Sequence, residues 1–246
     1  MKVFDKLQSA AIFAVAATLL FSVAAYAMAP TDVDDNVEAL KSLAKTPLHT
    51  EFLDSLKGAS GRFQDYQCFC KLYTKKDGRW KDAGGAQFAY KFRNLFKAVI
   101  KSSDYRNGSV VARGPEGVIR GAGGGTLRFM KMTLQPDSRT LKLPTGYSLA
   151  DSDFVSLYEA LKTSLKGGGS GFVSPSAVTT KLFPDPVTVL LVTKPGAASV
   201  SEAVIVDPKT KAPILWTVFK DGQPSALVLF QDVQVNKGLD DSSFSL

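Results

Sequence analysis

Apolar residues recur along this chain at two different spacings, and the switches between them mark its elements. After a basic start at Lys2 and Lys6, Ala10 to Phe21 is an apolar run broken only by Thr18. Small residues follow at Ala25 and Ala27, and Pro30 and Asp32 come soon after. A basic n-region, a short apolar h-region and an A-x-A site are the layout of a secretory signal. It predicts cleavage after Ala27 and a mature chain that starts at Met28. An uncleaved anchor is the competing reading, because no charge occurs between Leu7 and Thr31.

Beyond this segment, Val37, Leu40, Leu43 and Ala44 recur at helical spacing behind Asp34 or Asp35, either of which can cap a helix. Pro47 interrupts, and Phe52, Leu53 and Leu56 predict a second helical piece ending at Gly58. The period then becomes two. Tyr66, Cys68, Cys70 and Leu72 share one face, and Gln67 and Lys71 mark the other as wet. Asp77-Gly78 supports the positive φ angles of a tight hairpin. Phe88, Tyr90 and Phe92 alternate with Gln87 and Lys91. Further strands are expected at 96–101, 109–112, 118–121 and 126–133. A helix with Phe154, Leu157, Tyr158, Leu161 and Leu165 on one face follows a cap at Asp151, Ser152 or Asp153. Gly167 to Gly171 reads as a flexible connector. Strands resume at 187–193, 201–206, 214–219 and 226–235, with turns at Asp207-Pro208 and Asp221-Gly222. Such short strands predict an antiparallel meander. Neither half has a complete two-faced pattern, so one sheet with inserted helices is expected over residues 28–246. Residues 187–192 and 226–230 are apolar at both parities, which predicts a cover on each face.

Composition narrows the chemistry. Of 246 residues, 45% are hydrophobic and 22% charged, which argues against a disordered or coiled-coil chain. The formal charge is +7, and losing two lysines and one aspartate with residues 1–27 takes it to +6. A single His, His49, removes most metal-centre and His-base chemistry. Ser174 and Ser176 have no His nearby in sequence, so a Ser–His nucleophile has no support. Cys68 and Cys70 stand two apart. On a strand they lie nearly two rises (~6.6 Å) apart, a strained span for a disulfide, and C-x-C is neither a redox C-x-x-C nor a complete metal set. Two small buried thiols are the expected reading. Gly121 to Gly125 lacks the spacing of a dinucleotide or phosphate loop and reads as a flexible hairpin. Lys75, Lys76, Arg79 and Lys81 form a basic hairpin that suits either a solvated edge or an anionic lipid surface. Nucleic acid is not expected for an exported protein.

One series of strings has a family character. A strand ends in Val206-Asp207-Pro208-Lys209-Thr210, and Pro213 and Ile214 open the next. The last strand runs through Phe230-Gln231-Asp232-Val233-Gln234-Val235 and continues as Asn236, Gly238-Leu239-Asp240-Asp241 and Phe244. This resembles the end of the outer-membrane lipoprotein carrier (LolA-like) superfamily, where a strand leads through Asn-x-Gly-Leu to a terminal Asp-x-x-Phe. Asp65-Tyr66-Gln67-Cys68 and Tyr90-Lys91-Phe92-Arg93 resemble a related secreted family known only as a domain of unknown function. The similarity spans residues 38–246.

The resemblance implies an α+β fold: a curved antiparallel half-barrel whose concave face is covered by helices. It also implies a non-enzymatic periplasmic protein, without cofactor, that holds lipid or lipoprotein acyl chains in an apolar hollow. Proteins of this architecture also act as envelope sensors, so the second expectation is a scaffold that binds an envelope partner protein. Candidate lining residues are Tyr66, Cys68, Leu72, Phe88, Tyr90, Phe92, Phe129 and Trp216. Ligand contact and plain packing against a helix both fit their pattern. Trp216 and Phe219 fall on opposite faces, so at most one lines the hollow. Met130 and Met132 share parity with Arg128, whereas Leu127 and Phe129 share it with Lys131, and the register of that strand stays open. A monomer is expected.

Overall fold

The computed structural model describes residues 28–246 apart from Arg93, Tyr105 and Ala198. The expected export segment, residues 1–27, lies outside the described residues. Helix α1 (Pro30–Leu43) starts about a turn before the expected cap. Pro30 brings a preset φ to its first position, and the Asp32 carboxylate accepts from the Ala29 N–H at 2.7 Å. Asp34 is no cap; it accepts from Lys75 Nζ at 2.6 Å and Trp80 Nε1 at 2.9 Å. Helix α2 (Thr50–Ser60) runs through Gly58 and ends at Gly61. The apolar stripe of Leu53, Leu56 and Ala59, all buried, outweighs the roughly 1 kcal/mol that a helical glycine costs.

The strands are β1 (Thr46–Pro47), β2 (Asp65–Lys76), β3 (Arg79–Lys91), β4 (Leu95–Lys101), β5 (Val110–Arg113), β6 (Ile119–Ala122) and β7 (Lys131–Leu134). After helix α3 (Phe154–Lys166) come β8 (Gly171–Val173), β9 (Thr188–Val192), β10 (Glu202–Val206), β11 (Pro213–Lys220) and β12 (Gln223–Val235). All twelve lie in one sheet, ordered β1-β8-β9-β10-β11-β12-β2-β3-β4-β5-β6-β7. It consists of two meanders zipped at the centre by antiparallel β12 and β2, with Phe230 opposite Cys70 and Val228 opposite Leu72. β1 and β7 each have one neighbour, so the sheet stays open. This is the expected curved half-barrel. The Asp77-Gly78 and Asp221-Gly222 turns both have positive φ at each residue, from 51° to 75°, as tight hairpins require.

Two cores explain the doubly apolar strands. On the concave face, Leu190, Val192, Val204, Val206, Trp216 and Phe230 pack with Leu53, Leu56, Phe154, Leu157 and Leu161 of α2 and α3. On the other face, Val189, Leu191, Ala203, Ile205, Leu215 and Leu227 pack with Val33 and Leu40 of α1 and with Phe183 and Val187. β12 contributes Phe230 and Val233 to the same concave core because it bulges at Asp232, φ 52°, which resets its parity.

Three sequence expectations need correction. The segment 126–133 is not one strand. Gly125–Phe129 form a 3-10 turn and only Lys131–Leu134 pair with β6. Gly121 to Gly125 is not merely a flexible hairpin either. A Cβ on Gly124 would lie 2.0 Å from the Asn107 carbonyl oxygen, and one on Gly123 would lie 2.5 Å from Leu127 Cβ. These glycines are points of close backbone approach. Likewise a Cβ on Gly169 would meet the Thr193 oxygen at 2.3 Å, and Gly171 already belongs to β8. That connector is packed against the sheet.

Candidate functional site

The site is the concave face and what covers it. Strand alternation places Tyr66, Cys68, Cys70 and Leu72 of β2 on that face, beside Phe88 and Tyr90 of β3 in register: Tyr66 opposes Tyr90, and Cys68 opposes Phe88. Phe96 of β4 continues the row opposite Tyr90. Tyr66 is 1% exposed and stacks on Phe154, the first residue of α3, with centroids 4.2 Å apart and planes 10° from parallel. Tyr90 also stacks on Tyr66, at 5.3 Å, and Phe230 meets Phe154 edge-on at 5.5 Å. Burial of each such ring stabilises the fold by about 1.5–3 kcal/mol.

Polar groups fix how the cover sits. A helix start leaves backbone N–H groups without partners; here the Phe154 N–H donates to Tyr66 Oη at 3.1 Å. Asp153, itself buried, caps the helix by accepting from the Ser156 N–H at 3.0 Å. Farther along α3, Tyr158 Oη donates to the Lys211 carbonyl at 2.7 Å. Burial raises the phenol pKa values of Tyr66 and Tyr158 well above the ordinary range, and pushes Tyr90 to about 12, with the Asp153 charge adding to the effect at Tyr66 and Tyr90. All three are neutral phenols at physiological pH. The Cys68 and Cys70 sulfurs lie 3.6 Å apart as free thiols. Their mutual hydrogen bond, and then burial, hold the Cys68 thiol well above its ordinary pKa, so it is no nucleophile.

A second cover, residues 135–150, contributes Leu141, Leu149 and Ala150 to the concave core. Its anchor is a group the sequence reading missed. Glu202 is 1% exposed; it accepts from Tyr147 Oη at 2.6 Å and Trp216 Nε1 at 2.8 Å, with Lys194 Nζ at 3.5 Å. Glu202 shares parity with Val204 and Val206, both in the concave core, and a carboxylate on that face was the available signal. Burial and the Glu202 charge raise the Tyr147 phenol far above its ordinary pKa.

Of the eight candidate lining residues, Tyr66, Cys68, Phe88, Tyr90 and Trp216 meet in the concave core. Leu72 is half-buried at its end. Phe92 and Phe129 lie elsewhere. The β3 alternation stops at Lys91, and Phe92 sits in the following turn, 59% exposed. Phe129 stands in the 3-10 turn, 77% exposed. A narrow cleft is lined by Phe88, Tyr90, Asn94, Phe96, Arg113, Ala150 and Asp153. It has no room for even a water-sized molecule, whereas typical ligand pockets enclose ~300–1,000 Å³. With the covers down, Tyr66, Phe154 and Trp216 fill the interior themselves. Among the described residues, no group of three or more His, Cys, Asp or Glu is placed to hold a metal.

The strings that carried the family character also meet. The Asn236-Lys237-Gly238-Leu239 turn wraps the buried Asp65 carboxylate, which accepts from the N–H groups of Lys237, Gly238 and Leu239 at 2.6, 2.9 and 3.0 Å. The Asn236 side chain in turn accepts from the Gln64 N–H at 2.9 Å. Phe244 is fully buried and its short helix packs on β4. These residues are structural; they weld the last strand to β2, beside the aromatic row.

No protein-family model matches the sequence, and no curated protein matches it. Solved structures do share its fold. MucB is similar over 80% of this chain and 62% of its own, at 11% identity and a TM-score of 0.51. This chain thus spans about three-fifths of MucB. The Pseudomonas aeruginosa MucA/MucB complex also matches, at 12% identity and a TM-score of 0.43 over 80% of this chain and 60% of that one. A DUF1329 family protein from Desulfovibrio piger is 12% identical over 85% of this chain and 97% of its own, with a TM-score of 0.40. A LolA superfamily protein from Nitrosomonas europaea is 10% identical over 79% and 97%, with a TM-score of 0.39. The chain shares the fold of MucB, an open antiparallel half-barrel covered by helices.

Proposed function

We propose that this protein, exported to the periplasm, binds acyl chains of a lipid or lipoprotein between the concave face and its cover, without catalysing a reaction. The carrying observation is how the apolar face is sealed. The sheet does not close on itself; separate pieces cover it, the α2–α3 pair and the 135–150 strap. Ion pairs Lys57–Glu159 and Lys162–Asp54 tie α2 to α3, so the two helices can shift as one unit. Acyl methylenes then replace helix side chains against Tyr66, Phe88, Tyr90 and Trp216. Each buried CH₂ contributes about 0.8 kcal/mol, enough to hold a two-chain lipid without any reactive group.

The test is to purify the protein from its native host under mild conditions and extract it for mass spectrometry. Acyl lipid or lipoprotein at stoichiometric yield supports the reading. A folded protein that carries none, and that admits no fluorescent fatty-acid probe, rejects it. A second reading is favoured by the likeness to MucB, which has been solved with MucA: the half-barrel binds a segment of an envelope protein. Co-purification of one defined protein with an acyl-free half-barrel selects that reading.

A further inference from the structure

Residues Gly125 to Thr133 are exposed at every position, although they form a 3-10 turn and strand β7. Six large hydrophobic residues are exposed among the described residues, and four of them are here: Leu127 at 49%, Phe129 at 77%, Met130 at 61% and Met132 at 52%. Proteins rarely leave such a contiguous patch without a use. The backbone holds it out, because Gly124 is wedged against Asn107 and the Leu127 turn lies on Gly123. Cations interleave with it: Arg128, whose guanidinium lies 4.8 Å over the Phe129 ring, and Lys131, which donates to the Leu246 backbone oxygen. Neither makes an ion pair with a side-chain carboxylate among the described residues. Between Gly121 and Lys142 the sequence has Arg128, Lys131, Arg139 and Lys142 against a lone acid, Asp137.

This interleaving decides the occupant. Protein–protein interfaces also favour Phe, Met and Arg but disfavour Lys. Lys131, and four cations against one acid in this stretch, instead suit an anionic bilayer, where apolar tips enter the acyl boundary while neighbouring cations reach lipid phosphates. We propose that residues 127–132 dock on an anionic bilayer, inserting Leu127, Phe129, Met130 and Met132 with Arg128 and Lys131 on the headgroups. Among the described residues no helix is long and apolar enough to cross a membrane. Met132 shares the concave parity with Leu134 and packs over Gly121, so docking brings the open edge of the half-barrel to the lipid. Docking stands without the acyl-binding reading, since a permanently filled interior would dock equally well.

The test uses the full chain carrying Phe129→Trp, because residues 1–27 can themselves adsorb to vesicles and only a signal from position 129 is informative. Binding is followed by tryptophan emission against the unsubstituted protein, on vesicles of phosphatidylglycerol and phosphatidylcholine, then with brominated lipid as quencher. A blue shift and quenching from position 129 on anionic vesicles, weakened roughly tenfold by adding Arg128→Glu, is expected. An emission unchanged by anionic vesicles overturns the proposal, and so does an equal shift on neutral ones. A shift that follows protein concentration without lipid also overturns it and assigns the patch to a second copy of the chain.

Discussion

Removing the Asp65 carboxylate tests whether the turn after β12 is the weld between the two meanders of the sheet. In Asp65→Ala, three backbone N–H groups lose an ionised acceptor held at 2.6 to 3.0 Å. Hydrogen bonds to charged groups contribute about 1.5–3 kcal/mol each. The turn is exposed at Asn236, Lys237 and Gly238, so water recovers part of that. The expected net loss is about 3–4 kcal/mol, or roughly 10 °C in Tm for a domain of this size. Asp65→Asn keeps one oxygen for Gly238 and Leu239 but turns a donor toward the Lys237 N–H, and should cost about 2 kcal/mol. Lys91→Ala is the control. Its ammonium reaches the same turn through the Leu239 carbonyl at 2.7 Å and Asp241 at 2.5 Å, yet these are partly exposed contacts that contribute little to stability. Urea titration followed by the fluorescence of buried Trp216 measures all three. If Asp65→Ala unfolds within the error of wild type, or no more easily than Lys91→Ala, the turn is not a weld and this account of the Asn-x-Gly-Leu string fails.

Tyr66→Phe removes the acceptor for the Phe154 N–H and should lower stability by about 1–2 kcal/mol while selectively increasing amide exchange in the first turn of α3; uniform exchange would contradict end-on docking of the helix. Tyr66, Tyr90, Tyr147 and Tyr158 all have phenol pKa values raised in the folded state. A raised acid favours the folded form fully below its unfolded pKa near 10, and that contribution drains away as pH climbs. Stability should therefore fall from about pH 10 upward, through the folded value of about 12 for Tyr90, and a flat stability profile there would refute burial of these phenols. Gly124→Ala, whose Cβ would lie 2.0 Å from the Asn107 oxygen, should express poorly or lose several kcal/mol. Gly117→Ala, with open space but φ +76°, should cost only about 1 kcal/mol; equal effects would mean the close approach does not matter.

What the sequence made legible was local. Alternation in β2 and β3, the two Asp-Gly turns and the apolar stripe of α3 depend on neighbours within a few residues, and each is found where the pattern placed it. Phe92 was misplaced because period-two reading has no means of locating the end of a strand. The chain turns after Lys91, so one further step of alternation points to solvent. Phe129 departs from the pattern for a different reason: its run of apolar and basic residues suits a strand, but the adjacent glycines are points of close contact and the chain turns there. β1 and β8 were missed because Thr46–Pro47 and Gly171–Val173 are too short to show a period.

The deeper gap is chemical, and Glu202 shows its origin. Alternation puts it on the same face as Val204 and Val206, where an ionised carboxylate persists only with donors. Those donors come from Trp216, 14 residues away, and Tyr147, 55 residues away. Asp65 is the same problem at longer range, since its three N–H partners lie more than 170 residues along the chain. A buried charge can thus be suspected from one strand, but its role depends on which distant segment reaches it. Here those segments are the strap over the concave face and the turn after the last strand. The polar groups hardest to read are therefore those that fix the cover and the weld on which any opening of the half-barrel depends.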